Sequence, residues 1–202
     1  MILGRFSDFS AFFHEQIPTW SHFSTILKTH NFPGVHALDN AHLEVRAGEV
    51  MALVGENGAG KSTLMKILTG IYQKDGGSIE YFGQEIEIHG PRDAQSKGIC
   101  IVHQELNLMQ DLTVAENIFI GREPSKGLIL NQGEQNRMTE ELLSSLHLNI
   151  NAKTQIKRLT VAKQQMVEIA KALSYQNTKV LIMDEPSTAL TASEIEDLFT
   201  FI

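Results

Sequence analysis

The stretch 54–68 reads V-G-E-N-G-A-G-K-S-T-L-M-K-I-L and sets glycines, a lysine and a hydroxyl at fixed spacing. Residues 55–63 satisfy the pattern G-x-x-x-x-G-K-[ST] in full. Backbone N–H groups of such a loop, and of the helix that follows it, surround phosphate groups, where an extra Cβ would block close approach. We expect Lys61 to reach the β- and γ-phosphates and the Ser62 hydroxyl to ligate Mg²⁺. The predicted nucleotide-binding residues of this loop are Gly55, Glu56, Asn57, Gly58, Ala59, Gly60, Lys61, Ser62 and Thr63.

An acidic pair follows a second apolar run. Residues 180–186 read V-L-I-M-D-E-P, so a buried strand is predicted to deliver Asp184 to its end, where parallel sheets bind ligands. Asp184 would hold Mg²⁺, largely through water, and Glu185 would be the base that orients and deprotonates the attacking water. A solvated strand end is the alternative for an acidic pair that stands alone.

Gln104 follows a third predicted strand, I-C-I-V at 99–102. A neutral amide at this place can ligate Mg²⁺ and the attacking water without cancelling the charge of the metal. The alternative is an ordinary surface glutamine. His103 beside it is predicted to be a structural or surface histidine and not a catalytic base.

Strands that alternate with helices predict an α/β fold with a mostly parallel sheet. Apolar and turn patterns predict a fully buried strand at 50–54, a hairpin-type turn at 75–77 (D-G-G), and a short helix that Pro91 begins and Gly98 ends. Thr113 and Glu116 have the spacing of a capping box. Helices are further predicted from Lys61 to Leu68, from about Gln132 to Leu146, from Lys163 to Ser174 and from near Ala192.

Composition restricts the function classes. The 202 residues are 42% hydrophobic, enough for the core of one domain, and 17 scattered basic residues against 24 acidic ones give a net charge of −7. This balance argues against a nucleic-acid groove. Cys100 is the single cysteine, which favours a reducing cytoplasm. No apolar run reaches the roughly 18–20 residues that span a bilayer, so we expect any link to a membrane to go through a partner.

Residues 1–24 differ from the rest of the chain. They hold five of the ten Phe and the only Trp. We expect a disordered leader outside the domain, which then covers 25–202. One apolar helix face formed by Phe6, Phe9, Phe13, Ile17 and Trp20 is the alternative.

Taken together, these motifs resemble the ATP-binding cassette (ABC) ATPases, and in particular the double-cassette subunits of bacterial monosaccharide importers of the ribose, galactose, xylose and autoinducer-2 types. H-Q-E-L-N-L and Q-Q-M-V-E-I-A-K are specific to that sugar branch. The resemblance implies a P-loop cassette fold: an α/β nucleotide-binding core with a mixed or parallel sheet, a small antiparallel β layer and a helical arm at about 105–160. The other matching segments are F-P-G-V-H-A-L, the glycine loop with the helix after it, L-T-V-A-E-N-I-F-I-G-R-E-P and L-I-M-D-E-P-S-T-A-L-T.

The resemblance also implies roles for single residues. Phe32 would stack on adenine, and Gln104 would be the glutamine of the Q-loop, which in the family also touches the membrane subunits. The segment L-T-V-A-K would be the signature that caps the γ-phosphate held by a second cassette. Val161 and Ala162 place side chains where the family's usual glycines meet phosphate, which implies the weaker of two composite sites. The signature residues are Leu159, Thr160, Val161, Ala162 and Lys163.

The function implied is a first cassette that binds and hydrolyses ATP with Mg²⁺ to energise monosaccharide uptake, peripheral on the cytoplasmic face of the membrane. Its partners would be a second cassette, permease subunits and, indirectly, a sugar-binding protein, and no nucleic acid. The family's switch histidine lies beyond Ile202, so the chain is expected to be a truncated cassette that lacks its C-terminal part. The alternatives are a nucleotide-binding fragment with negligible turnover, a soluble cassette acting on DNA or ribosomes, and a small P-loop kinase.

Overall fold

The computed structural model describes residues 2–4, 22–32, 35–127, 129–175 and 178–184. The chain divides into two compact units. The first contains residues 1–101 and 177–184, and the second contains residues 102–176 and 185–202. The first unit carries the described strands of both larger sheets, apart from the last residue of the strand Ile99–Val102, and the described part of the second unit is mainly helical.

One sheet of the first unit carries the two segments that the sequence assigns to chemistry. Its strands are β1 (Ile2–Gly4), β4 (Val50–Met51), β7 (Ile99–Val102) and β10 (Val180–Met183), in the order β4-β1-β10-β7. β1 pairs antiparallel with both β4 and β10. β4 and β10 therefore run in the same direction on either side of β1. All four residues of β10 are buried, as the sequence predicts.

The prediction of a fully buried strand at 50–54 is wrong. Only Val50 and Met51 form a strand, and the side chains of Val50 and Val54 are 51% and 90% exposed. β4 lies at one end of the strand order and is paired along two residues. Apolar character alone does not bury a segment whose strand lies at the edge of the sheet.

A second, antiparallel sheet forms the β layer of this unit. It contains β2 (His22–Phe32), β3 (Val35–Arg46), β5 (Ser78–Tyr81) and β6 (Gln84–Ile86), in the order β3-β2-β5-β6. The tight hairpin joins β5 to β6 through Phe82 and Gly83, which have φ angles of 51° and 74°. The prediction that the turn at 75–77 joins two strands of a hairpin is wrong. β5 follows the turn, but residues 71–75, all of them described, contain no strand.

The helices of the first unit match the predicted segments. α1 (Lys61–Leu68) buries Leu64, Met65, Ile67 and Leu68. α2 (Pro91–Ser96) begins at Pro91, and the chain leaves it through Gly98 at a φ of 84°. Cys100 is 3% exposed, and its Sγ lies 3.5 Å from the Thr178 Oγ1. The apolar core of this unit is made by Leu38, Leu43, Val45, Leu64, Met65, Ile67, Leu68, Ile79, Ile88, Ala94, Ile99, Val180 and Ile182.

The described part of the second unit is built on three helices. They are α3 (Val114–Ile118), α4 (Gln132–Ser145) and α5 (Val161–Leu173), with a short 3-10 helix at Ile156–Arg158 and a small ladder of β8 (Ser125–Lys126) and β9 (Ile129–Leu130). The Arg122 guanidinium lies 3.6 Å from the Tyr175 ring centroid and donates to the carbonyls of Ile118 and Ser174. One half-buried cation thus caps the carboxyl ends of both α3 and α5.

Parts of the expected leader and of the carboxyl end fall outside the described residues. Within 1–24, the described residues 2–4 and 22–24 lie in β1 and β2, and the remainder of the expected leader lies outside the described residues. The helix face expected from Phe6 to Trp20 and the helix expected near Ala192 lie outside the described residues. Among the helices that the structure does describe, none is long and apolar enough to cross a bilayer. The observed architecture confirms the predicted α/β fold with a small antiparallel layer.

Candidate nucleotide-binding site

The glycine loop between β4 and α1 has a backbone that two of its glycines make possible. Gly58 has a φ of 84°, and Gly60, the N-cap of α1, has φ 85° and ψ 0°. This left-handed region strains any residue with a Cβ. No heavy atom lies within 4 Å of a Cβ built at Gly58, so conformation and not crowding requires glycine there. Residues 54–59 are exposed, which leaves the loop open to a ligand.

Lys61 folds back over this loop. Its Nζ donates to the Gly55 carbonyl at 2.6 Å and to the Glu56 carbonyl at 2.9 Å. The Ala59 N–H donates to the same Glu56 carbonyl at 3.2 Å and closes a turn. The ammonium is thus held at the loop by the loop's own backbone.

The amino end of α1 is available to an anion. Its N-cap makes no side-chain hydrogen bond, and its first turn contains no acidic residue. The first N–H groups of a helix have no intrahelical acceptor, and the helix dipole favours negative charge at this end. The buried residues Leu64, Met65, Ile67 and Leu68 fix the helix against the core. A loop with this geometry fits the phosphates of a nucleotide.

Asp184 lies in the same unit, directly after β10. Its side chain is half-buried, and the Ser62 hydroxyl at the start of α1 is exposed. Because β4 and β10 run in the same direction, their carboxyl ends lie at one edge of the sheet. A carboxylate and a hydroxyl supply the hard oxygen ligands that Mg²⁺ prefers. These residues fit the metal.

Two predicted site residues cannot be placed in the same way. Glu185 lies outside the described residues. Phe32 ends β2, and the structure describes its backbone only. Their assigned roles stay predictions.

In the second unit, the segment that begins at Gln104 is fastened to α5. The Gln104 side chain is exposed. The Asn107 N–H donates to the Glu168 carboxylate at 2.6 Å, and the Lys171 Nζ donates to the Asn107 carbonyl at 3.4 Å. Glu168 was not among the predicted site residues. Its position among Val167, Ile169 and Ala170 was the only signal in the sequence.

A buried asparagine and a buried glutamine hold the rest of this segment. The Asn117 side chain is 0% exposed, accepts from the Met109 N–H at 2.7 Å and donates to the Met109 carbonyl at 3.0 Å. The Gln164 Nε2 donates to the Leu159 carbonyl at 3.0 Å, and its Oε1 accepts from the Gln110 side chain at 3.3 Å. Gln164 therefore joins this segment to the first residue of the predicted signature.

The predicted signature forms the amino end of α5. Thr160 is the N-cap, and its hydroxyl accepts from the Lys163 N–H at 3.4 Å. Val161 is 47% exposed, whereas Ala162 is 8% exposed. Of the two side chains expected to stand where glycine backbone would meet phosphate, only that of Val161 is solvent-facing. Since α5 begins at Val161, two residues earlier than predicted, Ala162 falls on its buried face.

Hydrogen bonds and an ion pair lower the pKa of two carboxyl groups in this unit, Asp111 and Glu116. The Lys157 ammonium lies 2.7 Å from the Asp111 carboxylate and lowers the pKa of that exposed group. The N–H and hydroxyl of Thr113 donate to Glu116 and lower its pKa. The Glu116 N–H in turn donates to the Thr113 hydroxyl. These reciprocal hydrogen bonds between Thr113 and Glu116 confirm the predicted capping box.

Comparison with known sequences places these motifs in one family. The sequence profile described as "ABC transporter" matches residues 38–188. The ribose/galactose/methyl galactoside import ATP-binding protein 3 of Burkholderia ambifaria is 58% identical over 173 residues, which are 85% of this chain and 34% of that protein. The galactose/methyl galactoside import ATP-binding protein of Photobacterium profundum is 50% identical over 176 residues, 86% of this chain and 35% of that protein. The chain spans about a third of the length of these relatives.

Solved structures agree with the sequence comparison. The ADP conformation of an ATP-binding cassette of an ABC transporter aligns with a TM-score of 0.79 at 27% identity, covering 91% of this chain and 76% of the other. A nucleotide-free cassette aligns with a TM-score of 0.78 at 27% identity, covering 89% of this chain and 75% of the other. The fold described above is therefore the fold of these cassettes.

Proposed function

The chain belongs to the ABC transporter family, and from that premise we propose that it is an ATP-binding and ATP-hydrolysing part of an importer that energises monosaccharide uptake. The single observation that supports nucleotide binding most strongly is the open glycine loop. Its left-handed Gly58 and Gly60 lead into a helix whose amino end has no side-chain cap, with the Lys61 ammonium held beside it.

Within this proposal ATP is bound through the loop residues 55–63 and Phe32, and Mg²⁺ through Ser62, Asp184 and Gln104. When bound, the metal neutralises charge on the phosphate oxygens. Lys61 directs its ammonium toward the same oxygens. Glu185 accepts the proton of the attacking water and holds that water in line.

The sugar and the partners are proposed from the relatives. Proteins named as sugar import ATP-binding proteins share 50–58% of aligned residues with this chain. We infer that it works with a second cassette and with permease subunits, and indirectly with a sugar-binding protein, at the cytoplasmic face of the membrane. Nucleic acid is not among the proposed partners, in keeping with the net charge of −7.

The signature supports a further detail of this proposal. An exposed Val161 at the first position of α5 keeps a phosphate away from the helix N–H groups that glycine would leave bare. The composite site to which this chain contributes Val161 is then the weaker one. The site that contains its own glycine loop is the one able to hydrolyse when a glycine signature faces it.

The first test replaces the loop lysine. Lys61→Ala removes the only side-chain ammonium of the loop, so we expect ATP affinity to fall by a factor of about 100 or more, as for the loss of a charge-assisted contact of roughly 3 kcal/mol. Isothermal titration with ATP and Mg²⁺ measures this. Lys74→Ala is the matched control, because Lys74 also donates to a backbone carbonyl, that of Gly77 at 2.8 Å, but lies outside the loop. Equal ATP affinity in wild type and Lys61→Ala would refute the nucleotide site.

The second test separates binding from turnover. Glu185→Gln keeps the side-chain size and removes the proposed base, so ATP binding should be retained while hydrolysis falls by about 100-fold or more. The measurement is phosphate release by the chain together with a second cassette and permease subunits. Retained hydrolysis in the variant would exclude Glu185 as the base. Wild-type binding with no hydrolysis even in this assembly would instead select the second candidate, a nucleotide-binding chain with negligible turnover.

A further inference from the structure

The glycine loop contains an asparagine followed directly by a glycine, Asn57 and Gly58, and this pair occurs nowhere else in the 202 residues. Both residues are exposed, and no heavy atom lies within 4 Å of a Cβ built at Gly58. The side-chain amide carbon of an asparagine and the next backbone nitrogen can close a five-membered ring when nothing crowds them. Glycine offers the least hindered nitrogen, because it has no Cβ. Asn57 is therefore the asparagine of this chain whose covalent surroundings best fit that reaction.

Few hydrogen bonds restrain this pair. Among the described residues, neither the Gly58 N–H nor the Asn57 side-chain amide has a hydrogen-bond partner. The Ala59 N–H donates to the Glu56 carbonyl at 3.2 Å and closes a turn in which Gly58 has a φ of 84°, as in a type II turn. Ring closure requires a rotation about the Cα–C bond of Asn57, which this one long hydrogen bond opposes. The turn can therefore open locally at a small cost in free energy.

Positive charge beside the pair favours the reaction. The Lys61 Nζ lies 2.9 Å from the carbonyl oxygen of Glu56, the residue directly before Asn57. The amino end of α1 follows at Gly60, and its first turn contains no acidic residue. A nitrogen anion forms when the Gly58 N–H loses its proton, and both the ammonium and the helix dipole stabilise negative charge at this place.

We propose that Asn57 is a site of spontaneous deamidation, which gives the glycine loop a carboxylate and which a bound nucleotide suppresses. Hydroxide takes the proton of the Gly58 N–H, and the nitrogen then attacks the side-chain carbonyl carbon of Asn57. A new C–N bond forms, the bond from that carbon to the side-chain nitrogen breaks, and this nitrogen leaves as ammonia with a proton from water. A second water opens the resulting imide ring at either carbonyl and leaves aspartate or isoaspartate. Water and hydroxide are the only co-reactants, and no atom changes its oxidation state.

The carboxylate formed at position 57 competes with phosphate for the positive charge of the loop. The Lys61 ammonium and the amino end of α1 then have a resident anion beside them. Isoaspartate also lengthens the backbone by one carbon, which changes the spacing of the N–H groups around a phosphate. Only this consequence for ATP rests on the proposed function, whereas the deamidation itself does not.

The first experiment follows each asparagine of the unmodified, folded chain. The protein is incubated without nucleotide at mildly alkaline pH, digested at acid pH and analysed by mass spectrometry, which detects the exchange of an amide for a carboxyl group. Asn107 and Asn151 are the references in the same molecule, because their side chains are also exposed but Leu108 and Ala152 follow them. We expect Asn57 to react at least about tenfold faster than either reference. Comparable rates would overturn the proposal.

Ammonia release separates this reaction from a related one at Asp75. An aspartate before a glycine closes the same ring but loses water, so its product has the original mass. Ammonia that appears in step with the modified Asn57 peptide supports the proposal. Isoaspartate without ammonia would place the reaction at Asp75 and overturn the assignment to Asn57.

Two substitutions test the consequence for the nucleotide. Asn57→Asp reproduces one product, and we expect its ATP affinity to be lower than that of wild type by about tenfold, because the carboxylate repels phosphate. Asn57→Gln keeps an amide that would have to close a six-membered ring, so its ATP affinity should not change during the incubation. The ATP affinity of wild type should fall toward that of Asn57→Asp. Equal ATP affinity in Asn57→Asp and fresh wild type would overturn the assigned competition for Lys61.

Bound ATP should protect Asn57. ATP with Mg²⁺ at about ten times its Kd leaves roughly a tenth of the loops free, so deamidation should be about tenfold slower at Asn57 and unchanged at Asn151. An unchanged rate at Asn57, with ATP binding shown by titration, would overturn the suppression by nucleotide. If fresh protein binds no ATP, the proposed function fails, and the ratio of the Asn57 and Asn107 rates still decides whether Asn57 is the deamidation site.

Discussion

At the scale of single residues, Lys61 shows how the glycine loop holds a cation, and the proposed function gives that cation a phosphate to bind. Two of the three ammonium hydrogens are directed to the carbonyls of Gly55 and Glu56. The charge is thereby held beside the uncapped end of α1 before any phosphate arrives. A phosphate oxygen can replace a carbonyl as acceptor without moving the ammonium far, which lowers the conformational cost of binding.

Gly58 allows the loop conformation to be tested without a steric clash. A Cβ at this position meets no atom within 4 Å, but its φ of 84° is unfavourable for alanine. Gly58→Ala should therefore lower the free energy of unfolding by about 1–2 kcal/mol in urea denaturation without nucleotide. Gly58→Asn should lower it by less, since asparagine tolerates this region. An Ala variant as stable as wild type would contradict the assigned backbone conformation.

The residues of the glycine loop were predictable because their spacing alone dictates the chemistry. The different exposure of Val161 and Ala162 was not. It depends on whether these two residues belong to α5, because only inside the helix does its 3.6-residue period assign each of them to a face. Glu168 and Gln164 escaped prediction for a related reason. Their partners, Asn107 and Gln110, are more than 50 residues away in sequence.

At the scale of secondary structure, the capping box of α3 couples a helix end to pH. Hydrogen bonds from Thr113 lower the pKa of Glu116 in the folded state. A carboxyl group with a lowered folded-state pKa stabilises the protein fully above its unfolded pKa. That contribution is lost as the pH falls through the folded-state pKa.

Glu116→Gln should therefore make the free energy of unfolding depend less on pH at acid pH. Near neutral pH the variant should be less stable by about 1 kcal/mol, as for other lost caps. On lowering the pH from about 6 to about 3, through the lowered folded-state pKa of Glu116, its stability should fall by less than that of wild type. Urea unfolding across this range measures both effects. Glu140→Gln, on the exposed side of α4, is the control and should follow wild type. A parallel fall in Glu116→Gln and wild type would remove the capping box as the cause.

The helices were easier to predict than the strands. Pro91, Gly98 and Thr113 mark helix ends through their own backbone chemistry, and the structure confirms each of them. The extent of β4 and the partners of β5 depend on pairing with distant strands. Phe82 has a positive φ at the first position of the β5–β6 turn, where an asparagine or glycine would have been the clearer signal, and only the second position, Gly83, carries one.

At the scale of the whole molecule, the binding of ATP should raise the thermal stability of the protein. A ligand that binds only the native state at about 100 times its Kd adds about 2.7 kcal/mol. For a chain of this size that corresponds to a rise in Tm of roughly 5–10 °C. We expect ATP with Mg²⁺ to raise the Tm of wild type by this amount, measured by calorimetry, and to leave that of Lys61→Ala nearly unchanged. An equal rise in both would place the ligand away from the loop.

Cys100 gives this chain a built-in chemical probe. Its thiol is enclosed in β7, beside Thr178 and one strand away from Asp184. A thiol-specific reagent reaches such a sulfur only during the rare moments when the sheet around it opens. Because the sequence contains no second cysteine, the labelling rate counts those openings directly, without any engineered reporter.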